Sequence, residues 1–268
     1  MLLEIKIAIV ILAGFMAAFT DYKTGYIYDW LNWPFIAVGA ILAIFSPDVL
    51  WAFLEFAIVF ILGFVFYHSG KIGGGDIKFF AGLALYFPFF NGTIFLVVVV
   101  ILASFIALLF YGVYYFVLLL KEPNSQIYLS FGLSFIMSLI IFILFMVFSY
   151  WYLAVGLFIF SFFAFISLLL KETIMEKFYT NKITISNLLD DDLINLDLLK
   201  EKHKDLKLKA HGNMYPLDKK MYNKLKKDLP KNTKIIVYRN LPVFGPFIFL
   251  GIIFGFIILS FVNFGFFI

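Results

Sequence analysis

Apolar runs long enough to cross a bilayer recur from one end of this chain to the other, and nothing constrains its fold more. A helix of about 20 residues covers roughly 30 Å of hydrocarbon, and fewer suffice where it is short or ends in a protein-lined cavity. Eight such runs stand at approximately 3–20, 31–46, 49–68, 77–88, 92–120, 127–148, 150–170 and 242–267. The chain is 63% hydrophobic and holds 38 Phe among 268 residues, outside the range of a soluble domain. The fourth run is short and the fifth long. Pro88 cannot continue a helical ladder and, with Asn91 and Gly92, marks the break between them; without that break the count is seven.

Charge divides the chain into three. Residues 1–170 carry twelve charged side chains, residues 171–241 carry sixteen Lys or Arg and ten Asp or Glu, and residues 242–268 carry none. The expected architecture is an all-α polytopic membrane protein of about eight transmembrane helices. It comprises a body over 1–170, a polar domain over 171–241 and a C-terminal transmembrane helix over 242–268. In the polar domain "KITIS" and "TKIIVYRN" read as strands, while Leu217, Met221, Leu225 and Leu229 recur at a helical spacing. A small α+β cytoplasmic insert is therefore expected. Its excess of lysine suits anionic lipid headgroups. Asp190, Asp191 and Asp192 read either as an acidic helix N-terminus or as an attractor for a basic peptide. Lysines and acids interleave with few aromatics, which argues against nucleic acid as a partner.

Cytoplasmic loops collect Lys and Arg. With eight spans and the N-terminus outside, the inner loops hold Lys23, Lys71, Lys78, Lys121 and the sixteen basic residues of the insert, leaving only Lys6 outside. The first run makes a poor signal peptide, since Lys6 is a weak positive region and "MAAFTD" a weak cleavage site. On this reading "DYKTGYIYD" and "KIGGGDIK" both face the cytoplasm.

Ionisable groups at membrane depth are expensive and point to function by default. Asp76 follows Gly73, Gly74 and Gly75 at the start of the fourth run, where an aspartate can serve simply as a helix N-cap. Asp21 lies at the cytoplasmic end of the first run, at the same depth. Two carboxyls brought together there hold one proton between them, so that one activates water while the other donates to a carbonyl oxygen. Hydrolysis of a peptide can run on such a pair. Glycines beside it let an extended backbone approach closely, although a hinge or tight helix packing would use them equally well. The chain has no cysteine, and its three histidines are scattered at 68, 203 and 211, so disulfides and thiolate zinc are excluded and no metal or cofactor is expected. Glu55 reads as paired or snorkelling, His68 as interfacial, Lys23 and Lys78 as headgroup anchors or tuners of the aspartates, and Asp29 as the cap of the second helix.

These residues resemble a family. "DYKTGYIYD" is similar to the Asp-x-Lys-Thr-x-x-Ile-x-Asp pattern that follows the first helix of type IV prepilin peptidases, the archaeal preflagellin and prepilin peptidases above all. "GGGDIK" matches their G-x-G-D motif with its Ile-Lys continuation, and "YRNLPVFGPFIFLG" resembles a Pro-rich approach to the final helix. The resemblance covers the first 90 residues well and the C-terminal helix loosely. It implies an integral-membrane aspartic endopeptidase with Asp21 and Asp76 as catalytic pair and the glycines against the substrate. The substrate would be a prepilin-like or preflagellin (archaellin) precursor, cut on the cytoplasmic side between its basic leader and its apolar helix. Bacterial relatives often add a cysteine-rich loop and an N-methyltransferase activity, which a cysteine-free chain does not suggest. The usual proline is missing from Ile27-Tyr28-Asp29, which keeps Asp29 open as a substitute member of the pair.

Two alternatives stand beside this reading. Presenilin and signal-peptide-peptidase-like proteases also use GxGD, but they carry Tyr-Asp inside the preceding helix and Pro-Ala-Leu near the end, where this chain reads "GPFIF". A transporter with a carboxylate proton relay would show repeat symmetry, and neither "GGGD" nor "DYKTGY" has a second copy.

Overall fold

The computed structural model describes residues 2–68, 72–121, 124–147, 151–189, 193–194, 196, 199, 215–217, 219–238 and 242–265. Lys71, Asp190, Asp191, Asp192, His203 and His211 lie outside them. The chain divides into two compact units, Met1–Ile166 with Pro242–Ile268, and Ser167–Leu241.

In the first unit, α1 spans Leu2–Thr24, α2 Asp29–Ile44, α3 Val49–His68 and α4 Gly74–Tyr86. A two-stranded hairpin, β1 (Phe89–Phe90) and β2 (Thr93–Ile94), leads into α5 (Phe95–Leu120). Then come α6 (Ser125–Val147), α7 (Trp151–Leu169) and a C-terminal helix, Gly245–Gly265. Every apolar run of the sequence thus contains helix. Four helices, Leu2–Thr24, Val49–Tyr67, Phe95–Leu120 and Ser125–Leu144, are long and apolar enough to cross a membrane. Ala154–Leu169 with Lys171–Tyr179, bent by 72°, would make a fifth. Asp29–Ile44 and Gly245–Phe261 are apolar but shorter. The molecule is a multi-pass helical membrane protein, with four or five helices among the described residues long and apolar enough to cross, against the eight spans expected from the sequence.

The helix ends have local causes. Gly25, at φ +73°, closes α1 by donating its N–H to the Asp21 carbonyl at 2.7 Å, a left-handed cap that glycine adopts without steric penalty. The break after α4 is the hairpin. Asn91 (φ 52°) and Gly92 (φ 77°) form its two-residue turn, with Phe89 paired to Ile94 and Phe90 to Thr93. Positive φ at both central residues is what an Asn-Gly hairpin turn requires.

At 13 residues, α4 is about 20 Å long at 1.5 Å per residue. It packs against α1, α2 and α3, and Ile77, Phe79 and all of 81–86 are buried. Its apolar surface is therefore covered by protein rather than lipid. Phe35 of α2 stacks on Phe79 and Tyr86, with ring centroids 4.9 and 4.6 Å apart, and the Tyr86 hydroxyl donates to the Phe35 carbonyl at 2.9 Å. The C-terminal helix packs between α1 and α5. Phe256 stacks on Phe95 at 4.4 Å, and Asn91 donates to the Leu259 carbonyl at 3.0 Å.

The second unit holds an antiparallel sheet of β3 (Thr180–Thr184), β4 (Leu193–Ile194), β5 (Tyr215–Pro216) and β6 (Lys234–Tyr238) in the order β3-β6-β4-β5. Helix Lys219–Asp228 buries Leu225 in a core shared with Ile185, Leu217, Leu229, Ile235 and Val237. β6 lies within "TKIIVYRN", whereas β3 begins two residues before "KITIS" and ends at Thr184, where Ile185 and Ser186 enter a 3-10 turn; Leu217, Leu225 and Leu229 turn inward.

Candidate active site

Asp21 sits one turn before the end of α1, where the Gly25 cap fixes its place relative to the last turn. It is 5% exposed, although Tyr22 and Lys23 beside it are open. Its Oδ2 accepts two backbone bonds from the start of the C-terminal helix, from Phe244 N–H at 2.8 Å and Gly245 N–H at 2.6 Å. Phe247 and Ile248 N–H already bond the Phe244 carbonyl, so Phe244 occupies the cap position and the free N–H groups of the first turn point at the carboxylate. The fit depends on residue 245 lacking a side chain. A Cβ there would lie 2.7 Å from the Asp21 Cβ and 3.0 Å from both its Oδ2 and the Ala17 carbonyl. Behind this strap, the Tyr111 hydroxyl of α5 donates to the Val243 carbonyl at 2.9 Å.

Asp76 enters from the opposite chain direction, in the first turn of α4. Gly73 is the N-cap residue, so Asp76 is the third helical residue and not the cap itself. Its carboxyl reaches back to accept the Gly73 N–H, as an acid does in the second half of a capping box. It is half-buried, and it lies within direct electrostatic reach of Asp21. Two segments 55 positions apart in sequence thus bring their carboxyls near enough for one to feel the other's charge, one from a helix C-terminus and one from a helix N-terminus.

The three glycines differ in setting. A Cβ on Gly75 would stand 2.5 Å from the Ile27 carbonyl oxygen, and one on Gly74 would meet the Tyr67 ring at 3.3 Å. Gly73 is exposed, and a Cβ there would touch only the Asp76 carboxyl, at 2.9 Å from Oδ2. Gly74 and Gly75 therefore face protein, and Gly73 presents open backbone.

Asp29 does not cap α2, because Tyr28 holds that position and makes no side-chain cap bond. Asp29 instead pairs with Lys78 at 2.5 Å, and the Lys78 ammonium lies 5.5 Å from the Trp33 ring centroid. Lys78 is thereby engaged with protein rather than standing as a free anchor, while Lys23 lies over Phe19 at 4.3 Å. Glu55 of α3, expected to be paired or snorkelling, has a buried Oε1 with no hydrogen-bond partner among the described residues. No cluster of His, Cys, Asp and Glu suited to a metal ion occurs among the described residues.

Three contributors were missed by sequence reasoning: Gly245, Tyr111 and Asn32. Asn32 of α2 is fully buried, and its Nδ2 donates to the Gly75 carbonyl at 3.1 Å and the Ile27 carbonyl at 3.5 Å. An amide in an apolar helix is the one local signal that could have marked it.

Residues 8–113 match the family model described as the type IV leader peptidase family. Over 93 residues the chain is 32% identical to the prepilin peptidase EppA of Methanothermobacter thermautotrophicus, a stretch that covers 32% of this chain and 24% of that relative. The chain thus spans about a quarter of the length of the curated relative it matches. The matched stretch holds α4 and all but the first turns of α1, and with them both aspartates, so over residues 8–113 this chain is similar to the type IV leader peptidase family.

Proposed function

We propose that this chain is a membrane-embedded aspartic endopeptidase that removes the basic leader of prepilin-like or archaellin precursors at the cytoplasmic membrane face. The observation that carries the reading is the meeting of Asp21 and Asp76 within electrostatic reach, at the ends of two helices of the matched region. One carboxylate takes a proton from water as the water oxygen attacks the scissile carbonyl carbon, and the other delivers its proton to the carbonyl oxygen. The tetrahedral diol then breaks its C–N bond as the first carboxyl gives its proton to the departing amine and the second carboxylate takes a proton from a diol hydroxyl, which leaves a carboxylic acid and restores the pair. The open backbone of Gly73 beside Asp76 offers a path for an extended substrate strand, with Gly74 and Gly75 holding that path against Tyr67 and Ile27. With residues 20–30 and 69–78 cytoplasmic, a leader that stays inside reaches the pair before its apolar helix begins.

Cleavage of a tagged precursor in isolated membranes, with enzyme amounts matched, tests this. Asp21→Asn and Asp76→Asn should each abolish cleavage as fully as the double variant, because members of one catalytic unit are not additive. Asp29→Asn, which removes a charge from an exposed ion pair, should cleave normally. Near-normal cleavage by Asp76→Asn would reduce the glycine-aspartate turn to a helix start. Loss in Asp29→Asn with activity in Asp21→Asn would move the second acid to position 29.

A further inference from the structure

The amide of Asn32 donates to two carbonyls, to Gly75 at 3.1 Å and more weakly to Ile27 at 3.5 Å, and each belongs to a segment that carries one of the aspartates. Ile27 lies in the link that leaves α1 six residues after Asp21, and Gly75 immediately precedes Asp76. The two carbonyl acceptors fix which way the amide faces, since the reverse orientation would set an oxygen against two oxygens. The same two segments touch directly, for the Gly75 Cα stands so near the Ile27 carbonyl oxygen that a Cβ would come within 2.5 Å of it.

Packing alone does not explain an asparagine here. The residue is wholly buried among apolar helices, and its Oδ1 has no hydrogen-bond partner among the described residues. A buried acceptor without a donor destabilises a fold, whereas an apolar side chain of similar volume would leave none. What asparagine supplies, and leucine does not, is a donor that joins the two carbonyls.

We propose that Asn32 is a positioning residue for the reaction, tying the link after Asp21 to the residue before Asp76 so that the spacing of the two carboxyls is held. This rests on the two-aspartate reading above. Because Asn32 is buried, it acts through the backbone of Ile27 and Gly75 and touches no substrate.

The chain has no cysteine, so a pair introduced at Tyr22 and Ile72, both exposed and each beside one half of the site, can carry spin labels. In Asn32→Leu the label distance distribution should broaden. The precursor-cleavage kcat should fall, on the order of 100-fold for a displacement near 1 Å, with KM unchanged. Asn32→Gln keeps the donor on a longer arm and should lie between wild type and Asn32→Leu in both readouts. It carries the test if the leucine variant is not recovered folded. A wild-type kcat in folded Asn32→Leu, or a lost kcat with an unchanged label distribution, would overturn the positioning role. The label distances are read without turnover, so they judge Asn32 separately from the aspartates. Activity in Asp21→Asn or Asp76→Asn would overturn the catalytic pair and leave the distance result standing.

Discussion

Replacing Gly245 with alanine tests whether the C-terminal helix holds Asp21 in place. The added Cβ would lie 2.7 Å from the Asp21 Cβ and 3.0 Å from the Ala17 carbonyl oxygen. Carbon atoms pack comfortably at about 3.5–4.0 Å, so the helix start must retreat from α1 by roughly 0.8 Å or more. That retreat stretches the bonds from Phe244 and Gly245 N–H, now 2.8 and 2.6 Å, to about 3.5 Å, the outer limit of a hydrogen bond, where each is much weaker than it is now. Overpacking of this kind destabilises by about 1–3 kcal/mol, against a helix-propensity gain from alanine of at most about 1 kcal/mol. The net stability change is thus modest, whereas a carboxyl displaced by nearly 1 Å loses on the order of 100-fold in rate. Precursor cleavage at saturating substrate, with membrane levels of enzyme matched, should show that separation. Gly255→Ala is the control: on the same helix its Cβ meets only side chains, the Phe95 ring at 3.3 Å and Val99 at 3.4 Å, and cleavage should stay near wild type. Full activity in Gly245→Ala would refute the argument that the close approach at 245 sets the position of Asp21.

Gly75→Ala should behave similarly, because its Cβ meets backbone, the Ile27 carbonyl oxygen at 2.5 Å, while Gly132→Ala in α6 has nothing within 4 Å and should stabilise by about 0.5–1 kcal/mol. Thermal unfolding in detergent with parallel cleavage measurements checks both, and an active, stable Gly75→Ala would contradict the contact. Single cysteines at positions 23 and 219 should react with an impermeant reagent only after intact cells are opened. Labelling from outside would invert the proposed orientation.

Much of the candidate site was legible because carboxyls are rare in such a body. In an apolar body with twelve charges, an aspartate after three glycines and another at a helix end stand out without any structure. Two local signals were also present and were passed over. "KTGY" carries a glycine cap that fixes Asp21 within its last turn, and "FNGT" carries an Asn-Gly hairpin where only a break was expected. The span count was harder to read, since apolarity does not say whether a surface meets lipid or protein; α4 meets protein and has no need of full membrane length. The partners of the acids were not legible at all. Phe244 and Gly245 lie more than 220 positions from Asp21, and Lys78 lies 49 from Asp29. Only folding brings them together, so an aspartate expected to cap α2 is in an ion pair, and Asp76, for which an N-cap was the plain alternative to chemistry, sits inside the first turn of α4.

Asp21 presents a sharper question, because the two bonds it accepts are those of a helix cap supplied from another segment. A carboxylate at a helix N-terminus stabilises that helix whether or not it does chemistry. The geometry separates the two roles. Both N–H groups bond the same oxygen, Oδ2, so the single amide oxygen of asparagine can accept both without moving, and asparagine caps helices about as well as aspartate. A structural Asp21 therefore predicts that Asp21→Asn keeps its thermal stability and its cleavage together. A catalytic Asp21 predicts that stability persists while cleavage disappears, since an amide neither takes a proton from water nor gives one to an amine. Alanine at 21 would confuse the two by removing cap and acid at once. The asparagine variant, with stability and turnover measured on the same preparation, decides between them.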